Sequence, residues 1–456
     1  MKRIAILMFQ VHNNLGGILP STINLCAGLE EAGYEPRVFH AEWREHITGM
    51  EGRIERTNGA GYGLRHWISG DRAHLVGDSK HAHPYKGKKA ANELKERLSE
   101  YDGVILATSI PSYVAKGMKG NKDWKTVLKH GKPMIGIVRD CHWLRLSPHI
   151  LPMRHRFLAL AGVHPAAYYS LKNFPGRIAC QVNPFDISKA DEDYEKDWEK
   201  VCVTSWFKKW KRMDDGIRAA PFMKPIHLYI AGGGLELSYM LAEKTEEEYT
   251  GRNWEGYHRK VMNYRWKPED SSYRRNHGWK NKSIFRVAEQ EGNFHYVGFK
   301  LGRSIEKLQE SSGGLVDFSY HYKWGEHFNR VLIEAMLVKS IPFARPYGIS
   351  DNEAGHGKIF DNTNVVLIPE DSSPKRTGEI IRDAMQDHTL RSGIVKNNLR
   401  KLEIFDRETV AKNYVRLLEG RQDIGLFGVT EGRADRKVIL MMERFDAIRR
   451  FPRLKE

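Results

Sequence analysis

The chain has 456 residues, with 73 Lys and Arg against 57 Asp and Glu and a formal net charge of +16; hydrophobic residues at 41% and aromatics at 11% exclude global disorder and suit two or three domains with cores of their own. Four distant cysteines (Cys26, Cys141, Cys180, Cys202) without C-x-x-C spacing exclude a disulfide scaffold and a cysteine zinc site, and fit a reducing compartment. No apolar run approaches the roughly 20 residues of a membrane helix, and the positive excess points to a polyanion: nucleic acid, an anionic membrane surface or a phosphorylated ligand.

The opening MKRIAILMF is interrupted by Gln10, His12, Asn13 and Asn14 too early for a signal-peptide h-region. Residues 3–9 therefore read as the buried first strand of a soluble, cytoplasmic protein. A polar loop with Gly16 and Gly17 follows, then a helix over 20–32 and a strand over 34–40. Strand, Gly loop, helix and strand in that order open a doubly wound α/β domain. The Gly pair allows close backbone approach to a ligand near a helix N-terminus. It is not G-x-G-x-x-G, so no dinucleotide site is indicated.

Short apolar runs at 103–107, 134–138, 159–163 and 178–182 read as strands of a parallel sheet. Residues 189–200 are dense in charge and read as a linker or a solvated helix at a domain boundary. The alternation then restarts: strand 201–204, a helix from about Asp214, strand 227–231, a glycine turn at 232–234, strands 294–297 and 314–318, helix 329–338 and strand 341–344. The economical architecture is two Rossmann-like doubly wound domains facing each other across a cleft, over 1–196 and 197–410, with a basic helical tail over 411–456. Ligands of such sheets bind beyond the carboxyl ends of the strands. The stretch 251–282 stands apart, with nine Lys or Arg against three Asp or Glu and the aromatics Trp254, Tyr257, Tyr264, Trp266, Tyr273 and Trp279. That mixture suits a polyanion, and equally a packed surface element.

The most informative stretch runs from Gly325 to Met336, where Glu326 and Glu334 flank the entry to an apolar helix. A loop-to-helix junction offers free N–H groups and a positive dipole end to a phosphate. A carboxylate a turn or two into the helix can accept hydrogen bonds from a ribose diol. This pattern resembles the E-x7-E motif of the retaining GT-B glycosyltransferases of the family-four-like group. Further segments are similar to that group: 294–298, 304–309 and 315–319 before the motif, 228–234 as strand and Gly turn, and 182–186 as the end of the first domain. Pro342 in Ser340-Ile341-Pro342, the Asp140 loop and Trp210-Lys211 resemble, more narrowly, the DNA α-glucosyltransferases of T-even phage. Two departures stand out: His327 and Asn329 occupy usual glycine positions, and Trp206 sits where the group's phosphate-binding arginine would be.

The resemblance implies transfer of a sugar, glucose by the narrower match, from a UDP-sugar with retained configuration and no metal. It implies double-stranded DNA carrying a hydroxymethylated pyrimidine as acceptor, in the host cytoplasm if the gene is a phage's. On the donor side it points to Gly16, Gly17, Lys208, Lys211, Phe328, Asn329, Arg330, Val331 and Glu334, with Glu326 toward the sugar. Asp140, and His142 after it, stand at a carboxyl strand end and are the candidates for handling the acceptor hydroxyl. Arg139, Arg259, Lys260, Arg265, Trp266, Arg274, Arg275 and Trp279 are the candidates for gripping DNA. Asp140 and His142 also read as a capping acid and a partly buried histidine. A lipid-linked or cell-surface acceptor at a membrane, without stable insertion, and a nucleic-acid-binding scaffold without activity remain as competing functions.

Overall fold

A computed structural model describes residues 2–8, 18–40, 73–75, 88–107, 126–139, 156–171, 174, 176–205, 211–232, 288, 290–298, 303–319, 330–346, 360–426 and 428–432. The first unit contains β1 (Arg3–Met8), α1 (Ile18–Glu31), β2 (Glu35–His40), β3 (Ala73–Leu75), α2 (Lys88–Ser99) and β4 (Gly103–Leu106). It continues with β5 (Met134–Val138), β6 (Ala159–Gly162), α3 (Pro165–Ser170) and β7 (Arg177–Cys180). Strands β4, β5 and β6 are buried at every position. That is why they read as unbroken apolar runs: both faces of a parallel sheet are covered. The seven strands pair in parallel in the order β7-β6-β5-β4-β1-β2-β3. The order reverses beside β1, which places a topological switch point between β1 and β4.

The second unit holds β8 (Asp197–Thr204), α4 (Met213–Ala219), β9 (His227–Ala231), β10 (Phe294–Tyr296), α5 (Arg303–Ser311) and β11 (Ser312–Asp317). After these come α6 (Arg330–Leu337), β12 (Ile341–Ala344), β13 (Val366–Leu367), α7 (Pro374–Gln386) and α8 (His388–Lys401). The sheet order β10-β9-β8-β11-β12-β13, all parallel, puts its switch point between β8 and β11. Residues 189–200, expected as a linker or solvated helix, divide into the end of a 3-10 turn (Ile187–Asp191) and the start of β8. The first half of β8 alternates exposed and half-buried positions. Trp198 faces inward, with the Arg391 guanidinium 4.5 Å above its ring. The exposed acids Asp197 and Glu199 hide the strand from a reading that follows apolar runs.

The chain then returns to the first unit. α9 (Arg407–Leu418) packs along α1, and β14 (Val429–Glu431) adds antiparallel to β7. The stretch expected as a basic tail from 411 therefore begins inside a helix of the first unit. Caps set the entries to the last helices: Ser373, Asp387 and Asp406 each accept from a backbone N–H three residues on. Gly33, at φ 82°, ends α1 in a left-handed turn. Helix α2 buries Leu94 and Leu98 against its own sheet.

The α1–α9 crossing is close enough to require a glycine. A Cβ on Gly28 would sit 2.1 Å from the Arg407 carbonyl oxygen. On α8, by contrast, a Cβ on Gly393 meets nothing within 4 Å. Gly28→Ala is expected to cost about 1–3 kcal/mol through forced separation of the helices. Gly393→Ala is expected to add about 0.5–1 kcal/mol through helix propensity. Urea unfolding reads both, and equal midpoints for the two variants would contradict the crossing.

Candidate functional site

Helix α6 begins after the carboxyl end of β11 and carries Arg330 at its first position. Arg330 Nη1 donates to Ser21 Oγ of α1 at 2.9 Å, and its guanidinium lies 4.4 Å over the Phe185 ring. Ser21 follows β1 and Phe185 follows β7, so the carboxyl ends of both sheets meet at this one side chain. Glu334, one turn on, also neighbours it, with Arg330 Nε 3.5 Å from Glu334 Oε1. The second oxygen of Glu334 accepts from Gln309 Nε2 at 2.9 Å, and the same amide nitrogen donates to Thr204 Oγ1 at 3.1 Å. Thr204 ends β8, at the switch point of the second sheet.

This arrangement presents a largely desolvated guanidinium at a helix N-terminus, which favours an anion. Beside it stands a carboxylate with unused lone pairs. Lys211 lies after the β8 end and is 8% exposed. The following Arg212 adopts a left-handed conformation (φ 45°) and pairs with Asp215, which also binds Arg345 just beyond β12. Arg345 is 3% exposed and donates to the Glu370 carbonyl at 2.7 Å. These buried pairs hold the strand ends in place around the crevice.

Of the residues singled out by sequence, the structure brings Arg330 and Glu334 together, sets Val331 half-buried against the core, and buries Lys211. Arg139, expected on the acceptor side, lies just past the end of β5. Its Nε donates to the Ala107 carbonyl at 3.1 Å and its Nη1 to Asn183 Oδ1 at 2.8 Å. At 9% exposed it braces the ends of β4, β5 and β7. Gly16, Gly17, Asp140, His142, Lys208, Glu326, Phe328 and Asn329 lie outside the described residues, as do Arg259, Lys260, Arg265, Trp266, Arg274, Arg275 and Trp279. Sequence reasoning missed Ser21, Thr204 and Gln309. Phe185 and Gln309 lie inside segments that were singled out by resemblance, Ser21 and Thr204 carry no local signal, and the role of all of them exists only through contacts across the fold. Among the described residues no group of three His, Cys, Asp or Glu could hold a metal ion, and no helix is long and apolar enough to cross a membrane.

No protein-family model and no curated protein matches the chain. Solved structures do. Anabaena Alr3699/HepE in complex with UDP-glucose is 14% identical with a TM-score of 0.58, covering 92% of this chain and 100% of that one. An α-glucosyltransferase in complex with UDP-glucose and DNA containing an abasic site is 12% identical with a TM-score of 0.58, covering 91% and 99%. S. aureus TarM in complex with UDP is 11% identical with a TM-score of 0.58, covering 92% and 100%. At these identities the likeness establishes the fold, which is the GT-B architecture of two Rossmann-like units.

Lys196, just before β8, supports the site from below. It donates to the Glu310 carbonyl at 2.6 Å and to Ser340 Oγ at 2.9 Å. Burial pushes its ammonium down from the ordinary 10.5 to about 7. Between those values the unfolded chain holds more protons than the folded one, so stability rises with pH across that window. Wild type is therefore expected to gain on Lys196→Met in urea unfolding between about pH 7 and about pH 9.5. A difference that does not change with pH would contradict the burial of the amine.

Proposed function

We propose that the protein is a retaining glycosyltransferase that moves a sugar, glucose by the narrower resemblance, from a UDP-sugar to the hydroxymethyl group of a modified pyrimidine in DNA. The observation that carries the reading is the Arg330–Glu334 pair at the meeting point of the two sheets' carboxyl ends. Glu334 accepts hydrogen bonds from the ribose diol. Arg330 and Lys211, helped by Lys208 and the N–H groups over 328–331, take up the charge that develops on the leaving diphosphate. Fixed cations and N–H groups can do this without a metal. Gly16 and Gly17 let the loop after β1 close on the diphosphate, and Glu326 contacts the sugar.

In the reaction the bond from the anomeric carbon to the diphosphate oxygen breaks, and the bond to the acceptor oxygen forms on the same face. Asp140, with His142 beside it, orients the acceptor hydroxyl or takes its proton. A base inside a duplex must leave the stack to reach such a cleft. Basic and aromatic residues of 251–282 and of the tail grip the phosphates around it. Charge distribution supports a separate polyanion surface. Acidic and basic residues nearly balance among the described residues, so almost all of the +16 excess lies in the remaining segments. A membrane acceptor is less favoured, because α2 spends Leu94 and Leu98 on the core.

Incubation with labelled UDP-glucose and duplex DNA containing 5-hydroxymethylcytosine, against unmodified DNA, tests the acceptor. Label confined to the modified DNA is the expected result. UDP release without label on DNA would overturn the acceptor and retain the glycosyltransferase; no transfer and no release with any UDP-sugar would overturn both. Glu334→Ala removes charge-assisted hydrogen bonds worth about 1.5–3 kcal/mol. The KM for the UDP-sugar should accordingly rise roughly 10- to 100-fold.

A further inference from the structure

The carboxylate proposed to hold the ribose has to be held itself. Glu334 is half-buried on α6, one turn on from the Arg330 guanidinium. The Arg330–Glu334 contact is loose and involves one oxygen, at 3.5 Å. Left alone, the pair would close into the two-bond fork that arginine and carboxylate prefer, and Glu334 would turn away from a ligand.

Gln309 prevents this. Its side chain is 5% exposed, and its amide nitrogen spends both hydrogens, one on Glu334 Oε2 at 2.9 Å and one on Thr204 Oγ1 at 3.1 Å. The orientation of the amide is settled by chemistry, because an ionised carboxylate only accepts and so must face the NH2. The backbone behind Gln309 is fixed as well: Lys196 Nζ lies 3.4 Å from the Gln309 carbonyl and 2.6 Å from that of Glu310. One side chain thus ties the end of β8, the last turn of α5 and the second turn of α6. With one protein partner on each oxygen, Glu334 keeps about two of its four lone-pair sites for a pair of hydroxyls.

We infer that Gln309 is a positioning residue that holds the Glu334 carboxylate in its diol-accepting orientation, and so makes the site selective for nucleotides with an intact ribose. The inference rests on the proposed role of Glu334. The ligand chemistry it names is the 2′,3′-diol of a nucleoside diphosphate; diphosphate binding by Arg330 does not depend on it.

The test uses the full chain and calorimetric affinities for UDP and for 2′,3′-dideoxy-UDP. Variants are Gln309→Met, which keeps volume and loses the amide, Thr204→Val, which removes the second anchor of that amide, and Glu334→Ala as reference. Wild type is expected to prefer UDP by about tenfold or more, and Glu334→Ala to lose the preference. Gln309→Met should reduce it to about twofold, with dideoxy-UDP affinity within about twofold of wild type and with KM for the UDP-sugar changing more than kcat. Thr204→Val should give an intermediate loss, and it carries the test if Gln309→Met melts early. A full preference in both variants, with Glu334→Ala deficient, would overturn the positioning role alone. Absence of any preference in wild type would overturn it together with the ribose role of Glu334.

Discussion

The site exists because one apolar cluster runs through both units. Ile4, Ile6 and Leu25 of the first unit, Phe185 of the connection, Leu332, Ile333 and Met336 of α6, and Phe405, Tyr414 and Val415 near and on α9 belong to the same buried set. Phe405 meets Phe185 edge-on at 6.1 Å and Phe360 at 6.4 Å. Interiors packed at this density transmit displacement and do not absorb it. The N-termini of α1 and α6 are therefore held at a fixed separation, short enough for Arg330 to reach Ser21. Arg407 reinforces the same joint from the surface, with Nε 2.8 Å from Glu31 Oε1 and Nη1 2.7 Å from Asp186 Oδ2. Ion pairs this exposed add little alone; the apolar seam beneath them does the positioning.

Electrostatics around the crevice follow a consistent division. Buried basic side chains are tied into the fold: Arg139 to Ala107 and Asn183, Arg345 to Asp215 and Glu370, and Lys196, ahead of β8, to the end of α5. Arg330 differs in kind. It contacts a hydroxyl, an aromatic face and a carboxylate one turn away. The positive end of a helix favours an anion beside such a guanidinium.

Much of this was legible in the sequence. The fully buried strands announce themselves as apolar runs, and strands 134–138, 227–231 and 341–344 coincide with their expected limits. Helix α6 was visible through its apolar periodicity, and the Arg330–Glu334 spacing of four residues already placed both on one face. What stayed hidden depends on long-range pairing. β3 and β13 are too short for a pattern to form. The return of α9 to α1 and of β14 to β7 joins residues hundreds of positions apart. Arg139 reads as an exposed cation beside a strand end until the Asn183 carboxamide opposite it is seen. Gln309 falls in a segment flagged only by resemblance, and its significance lies in two partners from other elements.

A crystal structure of the protein with UDP tests the central claim most directly. The expected result is nucleotide density between the carboxyl ends of the two sheets, with the ribose hydroxyls within hydrogen-bonding distance of Glu334 and the diphosphate facing the start of α6. UDP bound away from α6, or ribose hydroxyls turned from Glu334 toward solvent, would contradict it.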